Sequence, residues 1–85
     1  MYQIIIKRQA KKKLESINPK NRIKIVDAIN LLGHDPDSNN LDVKALLGQR
    51  LYRLRVGTWR VIFDRHETLK IISIEKIGPR GDIYK

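Results

Sequence analysis

At 85 residues, with 18 Lys and Arg against 9 Asp and Glu, a net charge of +9 and 41% hydrophobic content, the chain is one small domain too apolar to be a disordered basic tail. The absence of Cys excludes a disulfide framework and a thiolate metal site, and no apolar run approaches the roughly 20 residues of a membrane span. A folded domain this basic is expected to meet nucleic acid or an acidic protein. Met1 leads through Tyr-Gln-Ile-Ile-Ile straight into charge, without the pattern of a signal peptide, and the reading is compatible with a reducing cytoplasm. Residues Tyr2 to Lys7 predict a strand with Ile4 and Ile6 on one face and Ile5 on the other, as in the interior of a sheet. From Gln9 to Ile17, Ala10, Leu14 and Ile17 recur at helical spacing among Lys11, Lys12, Lys13 and Glu15, which predicts a short amphipathic helix. Asn18 as N-cap and Pro19 at the first helical position open a second helix, expected to end at Gly33. Its apolar set of Ile23, Ile25, Val26, Ala28, Ile29 and Leu32 is broad enough for burial on more than one side. The run Asp35-Pro36-Asp37-Ser38-Asn39-Asn40 is loop, Leu41 to Leu47 is ambiguous, and Gly48 is expected to admit the chain to a hairpin.

Arg50 to Arg65 reads as that β-hairpin, turning at Gly57-Thr58, because a two-residue turn demands a positive φ that glycine supplies. Counting back from the turn, Val56 faces Trp59, Arg55 faces Arg60, Leu54 faces Val61, Arg53 faces Ile62 and Tyr52 faces Phe63. The strand period of two then puts Tyr52, Leu54, Val56, Trp59, Val61 and Phe63 on a core face. The other face carries Arg53, Arg55 and Arg60. Arg55 directly opposite Arg60 repels it, so an anion is expected to compensate. A second turn at His66-Glu67 leads to a strand from Leu69 to Ile77; pairing Asp64 with Leu69 puts Ile72 and Ile74 on the core face and Ser73 and Glu75 on the basic one. The expected fold is α+β, in the order β-α-α-β-β-β, with two helices packed on one face of a mostly antiparallel sheet and the arginines open on the other.

Guanidinium forks fit phosphate oxygens in bidentate geometry, so three arginines on one strand face without matching acids suggest a phosphate site rather than a merely solvated surface. Lys7-Arg8 with Lys11, Lys12 and Lys13 is either the wet side of a helix or a second, non-specific attraction for nucleic acid. Lys44 and Arg50 join Lys11 and Lys12 as RNA-binding candidates. In the tail, Gly78, Pro79 and Gly81 are expected to turn the chain around Arg80, aiming it at the same anion, with Tyr84 as a ring on which an unpaired base can stack. His34 and His66 are both expected in turns, with no metal pair between them. Asp35-x-Asp37-x-Asn39 starts like a calcium loop, but Asn40 stands where Gly is required and Leu46 where the closing Glu belongs.

Taken together, Leu51-Tyr52-Arg53-Leu54-Arg55-Val56-Gly57, Trp59-Arg60-Val61-Ile62-Phe63 and Ile77-Gly78-Pro79-Arg80-Gly81-Asp82-Ile83-Tyr84 resemble the RelE/ParE toxin superfamily of toxin-antitoxin systems, over nearly the whole chain. The resemblance implies a cytoplasmic ribonuclease that enters the ribosomal A site and cuts mRNA without metal or cofactor, and that an acidic antitoxin silences. It implies that the substrate's own 2′-hydroxyl attacks the neighbouring phosphate. Arg53 and Arg55 match two lysines of the RelE toxin, Arg60 its hairpin arginine, and Arg80 and Tyr84 its C-terminal arginine and tyrosine. Arg60 would then stabilise charge on the phosphate, Arg80 would sit by the leaving oxygen, and Tyr84 would orient a base. Arg55 departs from the family where a lysine is proposed as general base, since a guanidinium is a poor proton acceptor. The tail is also two residues shorter between Arg80 and Tyr84, with no helix after it. The alternatives are a ParE-like inhibitor of DNA gyrase on the same fold and a non-catalytic RNA-binding module.

Overall fold

The computed structural model describes residues 1–46 and 50–79. At its centre Gly57 takes a φ of 60°, the positive value at the first central position that marks a type II′ turn. Strands β3 (Leu51–Val56) and β4 (Trp59–His66) leave that turn. They pair Val56 with Trp59, Arg55 with Arg60, Leu54 with Val61, Arg53 with Ile62 and Tyr52 with Phe63, the register that the turn predicts. Before them come β1 (Gln3–Ile6), α1 (Arg8–Ser16), α2 (Pro19–His34) and β2 (Asp42–Ala45), and after them β5 (Ile71–Gly78). The order is the expected one, with the ambiguous Leu41–Leu47 segment supplying the additional short strand β2.

The five strands lie in the order β1-β5-β4-β3-β2. All pairs are antiparallel except β1 with β5. This places β1 at an edge rather than inside the sheet, and Ile5 is accordingly 40% exposed. The reason is topological: α1 and α2 carry the chain away from β1 before the other strands form, so only β5 returns to it. The β4–β5 register also differs from expectation. Asp64 pairs with Ser73 rather than Leu69, because the turn is longer than His66-Glu67 and Lys70 closes it with a φ of 55°. The offset is an even number of residues, so Ile72 and Ile74 still face the core.

Both helices cover one face. Ala10, Leu14 and Ile17 from the first helical segment, and Ile25, Ile29 and Leu32 from α2, pack on Leu54, Val61, Phe63, Ile72, Ile74 and Ile77. Asn18 caps α2 by accepting from the Asn21 N–H at 3.0 Å, and Pro19 is its first residue. Arg22 joins the two helices: its guanidinium donates to the Leu14, Glu15 and Ile17 carbonyls at 3.2, 3.2 and 2.8 Å, satisfying acceptors that a helix C-terminus leaves open. Two expectations for α2 fail. Ile23 is 61% exposed, so the helix buries one face only. Gly33 lies inside the helix, where a Cβ would come within 2.9 Å of the Ile4 side chain, and it serves a close crossing of α2 over β1 rather than a stop. Gly48 falls outside the described residues.

Candidate nucleic-acid interface

On the face away from the helices, β3 presents Arg53 and Arg55, β4 presents Arg60 and Asp64, β2 presents Asp42 and Lys44, and β5 presents Ser73, Glu75 and Lys76. The Arg55–Arg60 pair is directly cross-strand. Arg55 is exposed and, although Asp42 lies across from it on β2, it makes no ion pair among the described residues. Among the described residues, the half-buried Arg60 donates only to the Gly57 and Trp59 carbonyls, at 3.4 and 3.2 Å, which orient the guanidinium without neutralising it. Two like charges held on adjacent strands attract an anion between them.

The flanks are less bare than three unmatched arginines would be. Arg53 donates to Asp42 at 2.9 Å, and Arg50 meets Asp64 at 3.2 Å, so both cations are partly spent inside the protein. Arg53 still keeps its Nε buried with no hydrogen-bond partner among the described residues. Lys44 is exposed on β2 beside Arg53. Arg80 and Tyr84 lie outside the described residues.

Beside the arginine face, Gln9, Lys12, Lys13 and Ser16 of α1 stand over Ile77, Gly78 and Pro79 and leave a groove of about 420 Å³. Gly78 is the cross-strand partner of Arg60, so this cationic groove and the arginine pair are neighbours, while Lys11 is exposed on the same helix. The opposite end of the sheet is neutralised. Arg65 holds Asp37 through two hydrogen bonds at 3.0 and 3.2 Å and donates to the Tyr2 hydroxyl at 3.1 Å; it also pairs with Glu67, and Tyr2 donates to Glu67 at 2.9 Å. The Arg65 hydrogen bond holds the Asp37 carboxyl below its usual range, and the Tyr2 hydroxyl does the same for Glu67. Asp37 in turn raises the Arg65 pKa. His34 and His66 end α2 and β4 rather than lying in turns, and His66 approaches Asp64 at 3.3 Å.

A β-bulge opposite Ile62 and Phe63 interrupts the regular ladder expected between β4 and β5. Ile74 and Ile77 both point to the core, so the two residues between them, Glu75 and Lys76, both project to the arginine face. The sequence signal for it is the spacing of Ile72, Ile74 and Ile77, which changes from two to three.

The family model for the ParE toxin of the type II toxin-antitoxin system parDE matches residues 4–84. A Methanocaldococcus jannaschii protein named as a RelE1 toxin is 31% identical over 86 residues, covering 99% of this chain and 96% of its own. The toxin fold in the archaeal RelE-RelB complex from Pyrococcus horikoshii superposes with a TM-score of 0.82 at 32% identity, over 94% of this chain and 96% of that one. The isolated E. coli RelE toxin shares the fold at a TM-score of 0.77 and 13% identity, over 99% of this chain and 92% of its own.

Proposed function

The chain belongs to the RelE/ParE toxin superfamily of type II toxin-antitoxin systems, and from that premise we propose that it is a ribosome-dependent endoribonuclease that cuts mRNA in the A site. The observation that carries this reading is the Arg55–Arg60 pair on an open sheet face. A phosphodiester seated between two guanidiniums relieves their repulsion, and as the phosphorus takes on a fifth oxygen the same groups meet the growing charge. The nucleophile is the substrate's own 2′-hydroxyl, so neither metal nor cofactor is required of the protein. Arg60, oriented by two carbonyls, stabilises the phosphate; Arg53, anchored on Asp42, flanks it. In the same reading Arg80 stands by the leaving oxygen and Tyr84 orients a base. Lys44, Arg50, Lys11 and Lys12 contribute charge along the RNA and ribosome.

Primer extension on mRNA-programmed 70S ribosomes tests this. New A-site cuts are expected with the wild type, and a loss of about 100-fold in cleavage with Arg60→Ala. Equal cutting by Arg60→Ala would sink the assignment.

The partner proposed for the free toxin is an acidic cytoplasmic antitoxin. Two observations support it: the net charge of +9 and a groove of about 410 Å³ on the helix side, where Val43, Ala45, Tyr52 and Phe63 meet the polar Asp37, Ser38 and Asn39 and the Arg65 side chain. A second reading, inhibition of DNA gyrase by binding, is favoured by the ParE description of the matching family model. A supercoiling assay that shows inhibition, together with intact mRNA on ribosomes, would select it.

A further inference from the structure

A 2′-hydroxyl nucleophile must give up a proton, and the arginines of this face are poor acceptors because a guanidinium offers only donors. We propose that Glu75 is the proton acceptor of this cleavage, an inference that rests on the nuclease reading above. Three carboxylates face the arginine side. Asp42 is held by Arg53, and Asp64 by Arg50 and His66. Glu75 has no cationic partner among the described residues; its contact is with the buried Ser73, whose hydroxyl donates to it at 2.8 Å. That bond orients one carboxylate oxygen and leaves the other open. The bulge is the second reason. It inserts Glu75 as an unpaired residue between the Phe63–Ile74 and Ile62–Lys76 pairs, and such insertions re-aim a side chain out of the regular pleat. Glu75 lies three positions along β5 from Gly78, the partner of Arg60, or roughly 10 Å of strand at about 3.3 Å per residue. Two long side chains and one ribose phosphate span that gap.

In the cleavage step Glu75 takes the 2′-hydroxyl proton, the 2′-oxygen bonds to phosphorus, and the bond from phosphorus to the 5′-oxygen breaks. The departing oxygen takes a proton from water and Glu75 returns its own to solvent, leaving a 2′,3′-cyclic phosphate and a 5′-hydroxyl. The charged and titratable groups around Glu75 are Lys76 on its own strand and Lys7, whose N–H bonds the Ile74 carbonyl at the end of β1. Across the sheet are Arg60, Asp64 and His66 on β4 and Arg53 on β3.

The test is single-turnover cleavage by the full chain on mRNA-programmed 70S ribosomes, for the wild type, Glu75→Gln, Glu75→Asp and His66→Gln. Glu75→Gln keeps an acceptor for Ser73 and is expected to bind ribosomes within threefold of wild type while cleaving at least about 100-fold more slowly. Glu75→Asp should recover part of that loss. Between about pH 6 and 8 the wild-type rate is expected to be flat, whereas Glu75→Gln, with hydroxide as the remaining base, should gain about tenfold per pH unit. His66→Gln should keep the flat profile, which removes the imidazole as its source. Cleavage by Glu75→Gln within threefold of wild type would overturn the proposal. So would a flat profile in that variant, or ribosome binding lost in proportion to cleavage, which would mark Glu75 as structural. A wild type that binds ribosomes and makes no cut would instead overturn the nuclease reading, and the role of Glu75 with it.

Discussion

Arg65 is surrounded by Asp37, Glu67 and the Tyr2 hydroxyl, with its guanidinium 5.2 Å from the Tyr2 ring centre. Arg60 meets two carbonyls and no acid among the described residues. The same side chain thus locks one end of the sheet and leaves the other reactive toward anions, and only the neighbours distinguish the two. The locked end acquires a pH dependence. Asp37 and Glu67 are both lowered from ordinary values of 3.8 and 4.5. A carboxyl depressed in the folded state adds stability above its unfolded pKa and loses it as pH falls through the folded one. Asp37→Asn is therefore expected to lower the urea midpoint at neutral pH and to lose that deficit in acid, as pH falls through the lowered folded-state value of Asp37. An equal deficit at both pH values would show that the contribution of Asp37 is not its charge.

Among the elements, the α1–α2 pair is joined by one side chain. Arg22 supplies hydrogen bonds to three carbonyls at the end of α1, and bonds from a charged donor contribute more than neutral ones. Arg22→Met, which keeps the aliphatic stem, is expected to cost about 2 kcal/mol in chemical denaturation while leaving the sheet face intact. At the other end of α2 the limit is space. Gly33→Ala would gain about 1 kcal/mol of helix propensity but drive a methyl group to 2.9 Å from Ile4 Cγ1 and 3.4 Å from the Tyr2 carbonyl oxygen. Overpacking of this kind costs about 1 to 3 kcal/mol, so a net loss of about 1 kcal/mol is expected. A rise in the denaturation midpoint would show that β1, as an edge strand, simply moves aside.

For the whole molecule, the fold separates charges that the chain intermingles. Asp37, Asp64 and Glu67 are drawn into ion pairs away from the hairpin turn. Lys12 and Lys13 line a groove against Gly78 and Pro79, while Lys24 lines a pocket with Gly57, Thr58 and Trp59 at the hairpin turn. The resulting cationic end is suited to a polyanion, whose binding weakens with salt as counterions are released. Replacing Lys12 and Lys13 by Gln is expected to weaken ribosome binding and to reduce the salt slope by between about 1 and 2, whereas Lys70→Gln, at the neutralised end beside Glu67, should leave that slope unchanged. Identical slopes for the two variants would argue against the groove as part of the interface.

The features legible in the sequence rest on short-range geometry. A two-residue turn at Gly57-Thr58 settles every cross-strand pair of the hairpin by counting, and Asn18-Pro19 opens α2 through contacts within three residues. The arginine face, and the core face behind it, come from the strand period alone. Tertiary structure decided the rest, because it depended on where the chain returns. The edge position of β1 is set by β5, some 68 residues later in the register Gln3–Ile71. The Asp42 that tempers Arg53 is 11 residues away, and the Asp37 that neutralises Arg65 is 28. Glu75 is legible in the sequence as a residue of the basic face. Its lack of an ion-pair partner among the described residues, and its re-aiming by the bulge, arise only when Ile74 and Ile77 are both drawn into the core, since burying two apolar groups three apart on one strand forces the extra residue out of the ladder.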